Sequence, residues 1–165
     1  MSAALAHCLA WGDETGGVGQ NDARLTSTSE GTMPESELYK KGAAMRRQLM
    51  GDAEVERSGR EIYSDPVMKK FIDVATETVF GALWTRPGLD TKTRALICVV
   101  SDACTGREPE LALHIRFALR QGWTEDELTE VLLHLSGYIG VPIIRESMMV
   151  ASRAFRAYRE ETAKA

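Results

Sequence analysis

The segment GREPELALHIRFALRQGW, residues 106–123, sets one ionisable ring, His114, among leucine, isoleucine, phenylalanine and alanine. On a helix, His114 shares a face with Glu110, Leu111, Phe117 and Ala118. The plain structural role for such a ring is packing, with one hydrogen bond satisfied. The neighbouring charges suggest a chemical one. Glu108 and Glu110 can orient the imidazole, and Arg107 and Arg116 can hold an anionic ligand. Glu108 also suits a first-turn acid facing the helix dipole.

His134, flanked by leucines and four residues after Glu130, reads either as a second core histidine or as a member of the same polar cluster. In SGYIGVP, Gly137 and Gly140 permit close backbone approach to a ligand or helix, and Pro142 fixes a bend. Tyr138 offers a hydroxyl on an apolar wall, or a structural hydroxyl with its partner satisfied. Met148 and Met149 fall at packing spacing. The sequence has no glycine-rich phosphate loop, no HExxH and no GxSxG. Two histidines with scattered acids do not make a metal site, and His7 stands far upstream, so no metal is expected. Cys8, Cys98 and Cys104 are odd in number and lack a CxxC, which speaks against a disulfide framework and a thiolate site.

The elements that must position these residues read as helices. PESELYKKGAAMRRQLMG places Leu38, Met45 and Leu49 near one face and stops at Gly51. SDPVMKKFIDVATETVFGALW opens with Asp65 as cap and Pro66 in the first turn. Its apolar face is Val67, Phe71, Val74, Ala75, Thr78 and Val79, at spacings of three and four. Asp90 caps TKTRALICVVSDAC, which is apolar almost all round from Ala95 to Val100 and so is expected in a domain or oligomer core. The His114 helix starts near Glu108 and ends at Gly122. Thr124 and Glu127 form a capping box for the next helix. A last helix carries Ile144, Met148, Ala151, Phe155 and Tyr158. No segment alternates like a strand. The expected fold is all-α, about six helices. Residues 1–32, rich in glycine, serine and threonine after an apolar start, are expected to be a flexible tail, with a single domain over 33–165.

The chain has 165 residues and a net charge of −4. That balance gives no general attraction to nucleic acid or anionic lipid, and no run approaches a membrane span. No signal peptide is evident, so the expected location is cytoplasmic.

From Phe80 to about Phe155 the chain resembles the carboxymuconolactone decarboxylase family. The resemblance rests on LWTRPGLDTKTRALICVV, on the GRE-x-EL-x-x-H pattern of Gly106, Arg107, Glu108, Glu110, Leu111 and His114, on T-x-x-E-L-x-E, and on Y-x-G-x-P. One branch of that family, similar to alkylhydroperoxidase D, needs a CxxC just before the histidine. Arg107 and Glu110 occupy those positions here, and Cys104 stands alone, so a thiol peroxidase is not expected. The other branch implies cofactor-free loss of CO2 from a carboxylated lactone in aromatic catabolism.

The resemblance further implies a compact helical protein that associates, as a homo-trimer or homo-hexamer, around a small anionic substrate. It makes His114 the donor or general acid, with Glu108 holding the ring and Tyr138 a further donor. Arg107 or Arg145 would anchor a carboxylate, with Trp84, His134 and Gly140 lining the substrate site. Two departures point away from the usual lactone: Ile143, Ile144 and Arg145 follow the G-x-P, and His134 stands where many relatives have glutamine. Another carbon-acid enzyme on this scaffold, an isomerase or a lactone-opening enzyme, and a non-catalytic acid-binding oligomer are the alternatives.

Overall fold

A computed structural model describes residues 35–163 of the chain. The tail expected over 1–32 and the domain start at Met33 lie outside the described residues. Seven α-helices and one π-helical segment follow in order, with no strand among the described residues. The all-α expectation holds, with one helix more than foreseen.

Helix α1 (Glu37–Met50) is capped by Ser36, whose hydroxyl accepts from the Tyr39 amide, and it stops at Gly51 with φ +83°. Helix α2 (Asp52–Glu61) starts at once. It escapes a reading by apolar period because it has almost no apolar residues. Arg57 instead bridges Glu54 and Glu61 along its surface. Asp65 caps α3 (Pro66–Ala75) by accepting from the Val67 and Met68 amides.

The helix does not continue as expected. From Thr76 to Leu83 it widens into a π-helix, and the Trp84 amide bonds back five residues to Val79 at 3.0 Å. Such runs usually last a single turn. The widening coincides with a close crossing against α1. A Cβ on Gly42 would lie 1.8 Å from the Thr76 carbonyl oxygen, and one on Gly81 would lie 2.2 Å from that of Leu38.

The apolar stripe of α3 does not face the core. Val67, Phe71 and Val74 are exposed, whereas Ile72 and Thr76 are buried. Regular spacing marks an apolar face but does not supply a neighbour to cover it: α3 packs chiefly on the π-helical segment, and Tyr39 of α1 reaches its Asp73.

The main core is built by α4 (Thr91–Thr105), α5 (Glu108–Arg120), α6 (Glu125–Ile139) and α7 (Val141–Thr162). Here α5 packs on both α4 and α7, and α6 packs on α7. Asp90 caps α4 through the Thr93 amide, and Thr124 with Glu127 forms the expected capping box. Ala95, Val99, Leu111, Ile115, Phe117, Leu128, Leu132, Val150, Ala151 and Phe155 fill the interior. Only part of α4 is inside, since Ile97 is exposed. Glu161 ties the end of α7 to α5 through Arg116, at 2.7 Å, and Arg120. Arg116, expected to be available to an anion, is therefore already committed.

Candidate active site

His114 projects from α5 toward α4. The two helices are joined by Gly106, whose left-handed φ of +67° ends α4 and reverses the chain. That hairpin brings Asp102, in the last turn of α4, opposite His114. The Asp102 carboxylate lies 2.5 Å from His114 Nδ1. The Asp102 side chain is 9% exposed and the imidazole 22% exposed. Nε2 has no hydrogen-bond partner among the described residues. One nitrogen is thus held by a nearly buried carboxylate, and the other makes no such bond among the described residues.

The ring's remaining wall is aromatic. His114 meets Phe117 edge-on at 5.2 Å between centroids, and Phe117 meets Trp84 edge-on at 6.3 Å. Trp84 is itself buried, so it supports the site from behind Phe117. Cys98 sits one turn before Asp102. Burial, with a smaller push from the Asp102 charge, raises its thiol to about 11.

Glu108 does not hold the ring. It lies six residues before His114, which on a helix turns it to a different face. Its carboxylate instead sits 3.5 Å from Arg153 of α7. Asp102 takes the role expected of Glu108. A reading of α5 alone missed it, because the two residues meet across a hairpin. The signal in the sequence was an acid in the otherwise apolar SDAC end of α4.

The other candidates are distributed. Arg107 is the exposed N-cap residue of α5. Arg145 lines a groove of about 640 Å³ between α6 and α7, with Leu133, Ser136, Ile144, Met148 and Arg153 among its walls. Neither Arg107 nor Arg145 has an ion-pair partner among the described residues. Gly140, φ +96°, is the joint between α6 and α7. His134 is exposed and stacks at a tilt on Tyr138, 5.1 Å away, and Tyr138 is itself 75% exposed. Both side chains belong to the outer surface of α6 and not to its packed face, which corrects the core reading of His134. His114 does not line the α6–α7 groove, so one chain does not bring all the expected residues into one cavity. Among the described residues no three His, Cys, Asp or Glu side chains converge as metal ligands. No helix among them is long and apolar enough to cross a membrane.

Comparison with known proteins agrees with this architecture. The chain is 33% identical over 124 residues to 4-carboxymuconolactone decarboxylase of Acinetobacter baylyi, covering 75% of this chain and 91% of that protein. It is 34% identical over 116 residues to nitrosuccinic acid decarboxylase of Metarhizium robertsii, covering 70% and 80% respectively. The profile of the carboxymuconolactone decarboxylase family matches residues 70–153, a span from α3 into α7 that includes Asp102, His114 and Arg145. With its helical core and these relatives, the chain belongs to the carboxymuconolactone decarboxylase family.

Proposed function

We propose that this protein is a decarboxylase that removes CO2 from a small carboxylic acid bearing its own electron-withdrawing group. The observation that carries the reading is the Asp102–His114 pair, with one imidazole nitrogen held and the other without a partner among the described residues, beside the Phe117 ring. The names of the two relatives support the substrate class. One substrate is a carboxylated lactone and the other a nitro acid. They share a carboxylate and a group able to accept an electron pair.

The reaction breaks the bond from substrate carbon to carboxylate. The electron pair moves into the electron-withdrawing group and CO2 leaves. Protonated His114 then delivers the Nε2 proton to carbon, and solvent restores it. Asp102 fixes the ring's direction, so the donor does not have to reorganise during the step. Arg107 and Arg145 are the proposed carboxylate anchors, with Tyr138, His134 and Gly140 as secondary lining candidates and Trp84 backing Phe117. Oxidation products of aromatic ring cleavage are the first compounds to screen.

The test is CO2 release from carboxymuconolactone and nitrosuccinate. His114→Ala should retain its helical circular dichroism while turnover falls by at least about a hundredfold. Near-normal turnover would remove His114 from the mechanism.

A second reading follows from the same pair. With Nδ1–H donated to Asp102, a neutral ring presents a lone pair at Nε2 and could take a proton from a carbon acid. An isomerised or ring-opened product without CO2 would identify that reaction.

A further inference from the structure

We propose that Arg46 is the recognition residue of a second site, for a small oxyanion, either carboxylate or phosphate, at the junction of α1, Tyr63 and the π-helical segment. This goes beyond the decarboxylase reading and does not depend on it. The Arg46 guanidinium carbon lies 5.5 Å from the Tyr63 ring centroid and 5.7 Å from that of Phe80. Nη1 makes one long hydrogen bond, 3.4 Å, to the hydroxyl of the buried Thr76. Nε is buried with no acceptor.

No carboxylate among the described residues pairs with this guanidinium. Burial lowers its pKa, and the groups acting on it are the Tyr63 and Tyr39 hydroxyls and the Arg47 cation. Arginine cannot shed its proton in answer to burial. The charge therefore stays, half-buried and without a counter-charge, a condition that is costly to maintain. By contrast, Arg116 and Arg120 both grip Glu161, so Arg120 has its counter-charge even though its Nε is likewise buried without an acceptor.

Stacking on Tyr63 and Phe80 accounts for the faces of the guanidinium, since aromatic rings attract a cation through their π surfaces. It does not satisfy the in-plane N–H groups. With Nη1 committed to Thr76 and Nε enclosed by the protein, Nη2 is the donor left to meet an oxygen of a carboxylate or phosphate. A retained charge with no counter-charge calls for one, and an oxyanion at Nη2 supplies both an acceptor and the charge.

The test uses the full chain at matched ionic strength in sodium acetate, phosphate or chloride. The Arg46 Nε–H resonance should shift saturably with acetate or phosphate and not with chloride. Response to acetate alone assigns a carboxylate site, and response to phosphate assigns a phosphate site. The same anion should raise the thermal midpoint of the wild type more than that of Arg46→Met, which keeps the apolar stem. The variant is needed because phosphate stabilises proteins generally through exclusion from their surface. No saturable shift with either anion overturns the proposal, as does an equal midpoint rise in Arg46→Met. Should that variant not fold, the resonance titration on the wild type decides alone.

Discussion

At the residue scale, function turns on which acid faces His114. Asp102→Asn keeps a hydrogen bond available but loses the negative charge behind the ring. It should lower kcat by about ten- to a hundredfold, within the range for disturbed acid–base catalysis, and leave KM nearly unchanged. Glu108→Gln should have much less effect on kcat, because Glu108 faces Arg153. Steady-state kinetics on both variants distinguishes the two acids. Cys98 gives a pH-dependent outcome. Its thiol is raised to about 11 by burial, so alkylation should be slow near neutrality and quicken about tenfold per pH unit below that value, as thiolate forms. The folded chain keeps this proton over a range in which the unfolded chain releases it, so Cys98 makes stability fall as pH rises from 9.0 toward 11. Mass spectrometry after timed labelling should find the exposed Cys104 modified before Cys98. His114 was legible in the sequence as a polar residue on a packed face. Its partner was not, because three-and-four spacing describes one helix while Asp102 reaches it from the next.

At the element scale, caps were the most legible feature. Asp65, Asp90 and Thr124 act through amides two or three residues ahead, so local sequence contains the whole interaction. The π-helical turn was hidden for the opposite reason. It accompanies a contact between Gly42 and Gly81, glycines that lie in separate helical patterns and are informative only as a pair. A methyl group at either position meets backbone, which has no rotamer in which to retreat. Gly42→Ala and Gly81→Ala should each destabilise by about 3 kcal/mol or more, the upper range for overpacking, measured by urea unfolding. Gly59→Ala is the internal control, with open space around its Cβ position, and should be neutral or slightly stabilising because alanine is the better helix former.

At the scale of the whole molecule, the core helices α4 to α7 were foreseen in order, while the outer surface was not. Val67, Phe71 and Val74 on α3, and Leu133, Tyr138, Val141 and Met149 near the groove, leave large apolar side chains in water. Such surface favours association, and the family resemblance implies a trimer or hexamer. Sedimentation equilibrium should give a mass several times that of one chain, and Phe71→Glu with Met149→Glu should reduce it. The wide winding at 76–83 has a further genetic consequence. Removing one residue there would let the turn close to ordinary pitch, and the tighter winding would offset most of the rotation that a deletion imposes on the helix beyond it. Elsewhere in a helix the same loss turns every later side chain by about 100°. Codon-by-codon deletion should therefore find this stretch more forgiving than α4 or α5, with the surviving damage confined to the Gly42–Gly81 crossing.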